Sequence, residues 1–167
     1  YWIPFNEIND LTTPVGNWNH GGIKNPGTEN FSDQKDNPDK RYAALHNQFV
    51  ASAKTVIMGH EINPEFKFGT MICHITVYPL TPKPEDVLAT QQEDQLRNCF
   101  SGDVQIKGEY PYFMKRYFEK NNIHFEVTEE DLKVLKEGHC DFYSFSYYMT
   151  NCITTQKDAT QVSGNIM

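Results

Sequence analysis

Residues 66–79, FKFGTMICHITVYP, decide the fold, because they form a nearly continuous run of β-branched, aromatic and other apolar side chains. A strand with one solvated face alternates apolar with polar residues, whereas a parallel strand covered on both faces is apolar along its whole length. The run therefore predicts a strand buried on both sides. Residues 1–5 (YWIPF) and residues 140–148 (CDFYSFSYY) have the same character and predict two more buried strands.

Helical patterns occupy the intervals between these three runs. From Asp39 to Ile62, apolar residues recur at spacings of three and four, which is the stripe of an amphipathic helix. Asn37 can cap this helix with Pro38 at its first position, and Asn63-Pro64 ends it. Shorter helices are predicted for residues 84–100, 111–121 and 128–138.

The order strand, helix, strand, helices, strand is typical of parallel βαβ units. Three strands do not complete such a sheet, so a small open sheet and a slice of a (β/α)8 barrel, which needs about 250 residues, both remain open. The apolar run at Tyr1 favours the slice, because a natural N-terminus is usually polar and frayed. We therefore expect an α/β fold, a partial (β/α)8 TIM barrel, over residues 1–152. Residues 153–167 are expected to form a polar, mobile tail.

Charge and hydropathy exclude several classes of partner. The 167 residues carry 15 Lys and Arg against 22 Asp and Glu, a formal net charge of −7, and the basic residues are scattered. Nucleic acid binding requires a clustered basic surface, so no nucleic acid partner is expected. The chain has no apolar run of about 18 residues or more, so no membrane partner is expected either.

The spacing of cysteine and histidine predicts neither a metal site nor a cofactor. Structural zinc sites place cysteines about two to four residues apart, whereas the four cysteines here are separated by long gaps: Cys73, Cys99, Cys140 and Cys152. The histidines show no ligand spacing. No secretory signal is recognised, so reduced thiols and a cytoplasmic location are expected.

Polar residues near the strand ends are the candidates for chemistry, because parallel βαβ folds place functional residues there. Asn6 and Glu7 follow the first run. Apolar surroundings disfavour the ionised form of a carboxyl group, which suits a general acid, although a solvated helix cap is the alternative. Tyr148 ends the last run, and its phenol can donate a hydrogen bond to a carboxylate. The alternative for Tyr148 is a core aromatic with a solvated tip.

Residues 2–9, WIPFNEIN, resemble the T-F-N-E-P block of the family 1 glycoside hydrolases, and Ile-Asn after the Glu is similar to the bacterial 6-phospho-β-glucosidase branch. Further stretches agree with the family in order and spacing: residues 43–53, 78–87, 103–111, 128–132 and 141–148. The resemblance covers residues 1–152, which is roughly a third of a family member. It implies strands four to six of the barrel with their helices.

The resemblance also implies roles for three residues. Glu7 would be the acid/base catalyst of a retaining hydrolase, and Asn6 would bind the sugar 2-hydroxyl. Tyr148 would contribute to substrate binding by orienting the nucleophile. The implied substrate is a phosphorylated disaccharide or aryl β-glucoside, with no cofactor.

Other parts of the family pattern do not occur in this chain. These are the Glu-Asn-Gly block that holds the nucleophile, the sugar-binding Gln and His of the first strands, and the Ser-Lys-Tyr loop that binds the 6-phosphate. Pro4 replaces a Thr, and Ser146 stands where most members have Asn. Glu109 and Asp141 are expected to be structural and not substitute carboxylates.

Two functional hypotheses follow from these matches and departures. In the first, the chain is a segment of a cytoplasmic phospho-β-glucosidase that carries the acid/base but not the nucleophile. In the second, it is a noncatalytic partial barrel or an interaction module. Under either hypothesis the isolated chain is expected to self-associate, because a short arc of a barrel exposes sheet edges and an unfilled interior.

Overall fold

The structure is a computed structural model, and it describes residues 1–160. Its strands are β1 (Ile72–Pro79) and β2 (Phe145–Ile153). Its α-helices are, in chain order, α1 (Gly16–Asn19), α2 (Pro38–Ile62), α3 (Pro84–Asp94), α4 (Phe100–Lys107), α5 (Tyr112–Asn121) and α6 (Glu129–Glu137). Two 3-10 segments, Ile8–Thr12 and Phe31–Asp33, and a π-helical turn, Gln95–Cys99, complete the regular structure.

The two strands pair in parallel, as the βαβ pattern predicts. The register runs from Ile72 opposite Phe145 to Pro79 opposite Ile153. Both strands begin later than the apolar runs suggest, and β2 continues five residues beyond Tyr148. Tyr148 therefore lies in the middle of β2 and not at its end, which corrects the prediction.

Residues 1–5 do not form the predicted buried strand. Trp2 makes one parallel bridge to Phe68, with its amide donating to the Lys67 carbonyl and its carbonyl accepting from Gly69. The next donor in such a ladder would be the amide of residue 4, but Pro4 has no amide hydrogen. The pairing therefore stops after a single bridge. This bridge is parallel, as the βαβ pattern predicts. Trp2 is also exposed, so the prediction of burial is wrong.

Strong local signals set the bounds of α2. The Asn37 side chain accepts a hydrogen bond from the Lys40 amide at 3.1 Å, and Pro38 is the first helical residue. The helix ends at Ile62, as predicted. Its buried stripe meets the other helices in the main core, which includes Tyr42, Leu45, Phe49, Phe100, Val104, Met114 and Leu135.

The helix that begins at Pro84 is longer than predicted and changes its winding. After α3, residues 95–99 form the π turn, and α4 then continues to Lys107. The predicted end near Phe100 is wrong, because Phe100 and Val104 are both buried in the main core and continue the apolar stripe. The helix ends at Gly108, whose φ of 68° is left-handed and favours glycine.

Two asparagine side chains bond to the backbone of β1 on the edge away from β2. The Asn9 amide group accepts from the Cys73 amide at 2.8 Å and donates to the Cys73 carbonyl at 2.9 Å. The side chain of Asn98, in the π turn, accepts from the Ile75 amide at 3.2 Å and donates to the Ile75 carbonyl at 2.9 Å. Each side chain therefore takes the place of a neighbouring strand at one residue of β1.

The predicted tail is only partly within the described chain. Thr154 and Thr155 follow β2 directly and bond to the carboxylate of Asp86. Residues 161–167 lie outside the described residues. The mobility of the segment therefore stays a prediction.

Candidate active site

Glu7 stands where an extended segment gives way to a buried turn. Its backbone is left-handed, with a φ of 52°, a conformation that few residues other than glycine adopt. Its amide donates to the Met71 carbonyl at 2.8 Å. The 3-10 turn that follows buries Ile8 and Leu11 completely. These contacts fix the backbone of Glu7, and the residue is only 8% exposed.

The Tyr148 phenol donates a hydrogen bond to Oε1 of Glu7, with 2.5 Å between the two oxygens. This bond raises the pKa of Tyr148, because loss of the phenolic proton would place a second negative charge beside the carboxylate. Tyr148 is 44% exposed, whereas Glu7 is buried. Tyr148 thus orients the carboxyl group of Glu7 and lies between it and solvent-accessible surface.

A β-bulge brings Tyr148 to this position. His74 of β1 lies opposite Tyr147, but the next residue, Ile75, lies opposite Met149. Tyr148 is therefore the extra residue of β2. Bulges bend a strand and redirect a side chain, and they occur often beside active sites. The alternation of a regular strand does not predict this extra residue.

A second group of ionisable side chains lies near Glu7 and was missed by sequence reasoning. Oδ2 of Asp10 lies 3.5 Å from Nδ1 of His20. Burial raises the pKa of Asp10, the His20 charge opposes this shift, and the Glu7 charge adds to it. Burial also raises the pKa of the Cys73 thiol to about 12, with contributions from the charges of Asp10 and Glu7. The sequence offers no local signal for this proximity, because Glu7 precedes the 3-10 turn and His20 lies beyond it.

Three other residues were considered from the sequence: Asn6 is accessible in the structure, whereas Asp141 and Glu109 have structural contacts. Asn6 is exposed immediately before Glu7, so its amide is accessible to a ligand. The Asp141 carboxylate accepts from the Phe68 amide at 2.8 Å and joins the segments that precede the two strands. Glu109 is exposed and pairs with Lys136 at 3.4 Å. Neither Asp141 nor Glu109 contacts Glu7, in agreement with the structural roles expected for them.

Residues 1–160 show no group of three or more His, Cys, Asp or Glu arranged to hold a metal ion. Within the same residues, no helix combines the length and the apolar character needed to cross a membrane. All four cysteines are free thiols.

Comparison with known proteins identifies the family of this chain. The sequence profile of Glycosyl hydrolase family 1 matches residues 1–165. The chain belongs to this family. It is 42% identical over 164 residues to the aryl-phospho-beta-D-glucosidase BglH of Bacillus subtilis. The matched region covers 98% of this chain and 33% of the relative. It is 39% identical over 168 residues to a 6-phospho-beta-glucosidase of Clostridium longisporum, covering 100% of this chain and 33% of the relative.

Solved structures of two β-glucosidases confirm the fold. The chain superimposes on a beta-glucosidase from Exiguobacterium marinum with a TM-score of 0.71 at 23% identity, covering 95% of this chain and 34% of that one. The family 1 β-glucosidase from Thermotoga maritima gives a TM-score of 0.70 at 22% identity, with 95% and 33% covered. The glycosyl hydrolase family 1 chain is therefore a partial (β/α)8 barrel, as the sequence predicts. It spans about a third of the length of the curated relatives that it matches.

Proposed function

We propose that the protein containing this family 1 chain is a retaining 6-phospho-β-glucosidase in which Glu7 is the acid/base catalyst. The observation that carries the proposal is the buried Glu7 carboxyl group held by Tyr148 at 2.5 Å. Retaining glycosidases need one carboxyl group that protonates the leaving oxygen and a second, roughly 5 to 5.5 Å away, that forms the glycosyl-enzyme intermediate. The second carboxyl group would come from a part of the family barrel outside this chain.

The proposed reaction has two steps at Glu7. The carboxylic acid first donates its proton to the glycosidic oxygen, so that the bond to the leaving group breaks as the nucleophile attacks. The resulting carboxylate then removes a proton from water, which attacks the intermediate, because microscopic reversibility assigns both steps to one residue. Asn6, exposed beside Glu7, would bind the 2-hydroxyl, a contact that strengthens in the oxocarbenium-like transition state. Tyr148 would lie between Glu7 and the nucleophile and orient both.

The names of the relatives support the substrate class. The Bacillus subtilis and Clostridium longisporum proteins are named as an aryl-phospho-β-glucosidase and a 6-phospho-β-glucosidase, and a Klebsiella oxytoca relative, 39% identical, is named phospho-cellobiase. The proposed substrates are accordingly phosphorylated disaccharides and aryl phospho-β-glucosides. A cytoplasmic location belongs to the same proposal and is supported by the free cysteines, since disulfides are rare in that compartment.

Replacement of Glu7 by Gln in the full-length protein tests the acid role. The variant should lose kcat/KM on substrates with poor leaving groups by about 100-fold or more, and far less on activated aryl phospho-β-glucosides, whose leaving groups need little protonation. Glu109→Gln is the matched control, because Glu109 is exposed and pairs with Lys136 instead of with a residue of the site. Equal losses on both substrate types would refute the acid role of Glu7. The isolated 167-residue chain should hydrolyse neither substrate.

A second candidate function, a noncatalytic interaction module, is favoured by the exposed face of β2. Phe145 and Tyr147 are 52% and 59% exposed. This hypothesis requires the full-length protein to leave phosphorylated β-glucosides intact. Under this hypothesis, the isolated chain is also expected to self-associate.

A further inference from the structure

Asp86 is a buried carboxylate that the proposed reaction does not use. It lies in the first turn of α3 and is completely inaccessible to solvent. Its oxygens accept hydrogen bonds from the Thr81 hydroxyl at 2.7 Å, from the Thr155 amide at 2.7 Å, and from the hydroxyls of Thr155 at 2.8 Å and Thr154 at 3.1 Å. These donors hold the pKa of Asp86 well below its ordinary value, with the Thr155 amide contributing most.

The partners of Asp86 come from the chain segments that follow both strands. Thr81 lies two residues after the end of β1, and Thr154 and Thr155 directly follow the last residue of β2. One carboxylate therefore fixes where β1 and β2 end relative to each other. Since a carboxylate and a backbone amide take part, the contact is stronger and more directional than one between neutral hydroxyls.

A second set of bonds fixes the beginnings of the same strands. The Thr70 hydroxyl accepts from the Ser144 amide and donates to the Ser144 carbonyl, each at 3.1 Å, and the Ser144 hydroxyl donates to the Thr70 carbonyl. Thr70 is completely buried. Both ends of the β1–β2 pair are thus held by buried side chains.

The bulge of β2 lies between these two fixed ends. β1 has eight residues and β2 has nine. With both ends held, β2 keeps one residue more than β1, and this extra residue lies inside the ladder as Tyr148. If the end after β2 were free, the strand could slip by one residue and remove the bulge. A one-residue slip exchanges the two faces of a strand and would turn a side chain away from its partner.

We propose that Asp86 is a positioning residue for the active site: by holding Thr154 and Thr155 it locks the bulged register of β2 and keeps the Tyr148 phenol on Glu7. This inference rests on the proposed function for its catalytic consequence, but its structural part stands independently. Asp86 acts through the strand and touches neither Glu7 nor Tyr148.

A residue with the same position in another helix provides a matched control. Asp131 is the third residue of α6, as Asp86 is of α3, and it also accepts hydrogen bonds from a threonine, Thr128. Its partners lie outside both strands. A loss caused only by weakening the start of a helix should therefore appear in Asp131→Asn as well.

The catalytic test is a double-mutant cycle in the full-length protein. Asp86→Asn alone should reduce kcat/KM on a phospho-β-glucoside with a poor leaving group by about tenfold. In the background of Tyr148→Phe, which has no phenol to misplace, the same substitution should cost less than about twofold. Asp131→Asn should cost less than about twofold in either background. Equal losses from Asp86→Asn in both backgrounds would show a merely structural role and overturn the proposal.

Hydrogen exchange separates this inference from the proposed function. In Asp86→Asn, the backbone amides of residues 149–153 should exchange faster, while those of α6 remain protected, and Asp131→Asn should show the opposite pattern. Unchanged exchange in residues 149–153 would overturn the register lock whatever the enzyme hydrolyses. Faster exchange together with a wild-type protein inactive on every phospho-β-glucoside would refute the proposed function alone. If Asp86→Asn does not fold, Thr155→Val removes one donor to the carboxylate and gives the same two readouts.

Discussion

Arg41 shows how one side chain supports the turn that carries Glu7. Arg41 is buried at the start of α2, and its Nη1 donates to the Leu11 carbonyl at 2.8 Å. Its Nε and Nη2 bind the two oxygens of Asp36 at 2.9 Å and 3.0 Å. The planar guanidinium satisfies three acceptors at once, in the fork geometry that suits a carboxylate.

Replacement of Arg41 by Lys should lower the free energy of unfolding by about 2 kcal/mol, because an ammonium group cannot bridge Asp36 and reach Leu11 together. Urea denaturation at neutral pH measures this change. Arg116→Lys is the control, since Arg116 is exposed in α5 and should change stability by less than about 0.5 kcal/mol. Equal stability of Arg41→Lys and the wild type would contradict the supporting role of the guanidinium.

At the scale of residues, sequence reasoning reached the groups that belong to a motif. The Asn6-Glu7 pair and Tyr148 could be singled out, and the structure brings Glu7 and Tyr148 into contact, while their catalytic roles stay proposals. Asp10 and His20 were missed because their proximity depends on how the chain folds back after the 3-10 turn. The bulge was missed for a related reason: it depends on contacts at both ends of two strands that are distant in sequence.

At the scale of elements, α6 is an example of a helix whose start is specified locally. Thr128 and Asp131 form a capping box, in which the Thr128 hydroxyl accepts from the Asp131 amide and the Asp131 carboxylate accepts from the Thr128 amide. The Thr128 hydroxyl, followed by the Thr128 amide and His46, lowers the pKa of Asp131 to about 2. The carboxylate form is therefore favoured in the folded protein.

This lowered pKa predicts a pH dependence of stability. Because the folded-state pKa lies below the ordinary value of 3.8, the contribution of Asp131 is fully present above about pH 4 and is lost as the pH falls toward 2. The difference in unfolding free energy between the wild type and Asp131→Asn should therefore shrink between pH 4 and pH 2. Urea denaturation at a series of pH values measures it. Thr128→Val removes the main cause of the lowered pKa of Asp131. In this background, Asp131→Asn should therefore change the unfolding free energy less than it does in the wild type.

Elements with local signals were predictable, and those that depend on packing were less so. Asn37 and Pro38 start α2 in the expected place, because capping depends on residues within one turn. The π turn at residues 95–99 has no comparable signal. It occurs where Asn98 reaches the backbone of β1, a contact between elements that are separate in the sequence.

At the scale of the whole molecule, the described chain leaves one strand largely uncovered. β2 packs on β1 and on α3, but Phe145, Tyr147 and Tyr148 remain exposed. The apolar run at 140–148 indicated a strand buried on both faces, which is wrong for the described residues. Burial depends on what other segments cover a strand, so a pattern that identifies the strand does not ensure that it is covered.

The isolated chain should therefore associate with itself through this surface. Sedimentation at increasing protein concentration should show a rising average mass, because contiguous exposed apolar side chains favour contact with another copy. Phe145→Ser should weaken the association. Tyr112→Ser is the control, since Tyr112 is an exposed aromatic residue on α5, away from β2. A monomer with a cooperative melt at all concentrations would contradict the prediction.

The asparagine amides beside β1 also determine how far such association could proceed through backbone pairing. A sheet edge recruits a further strand when its amide and carbonyl groups are free. On the β1 edge these groups are occupied at Cys73 and Ile75, whereas among residues 1–160 β2 pairs only with β1. Two copies joined at β2 would present outward only their β1 edges, which are occupied at Cys73 and Ile75. Growth by strand addition should then end at a pair of chains and not propagate into a cross-β fibril.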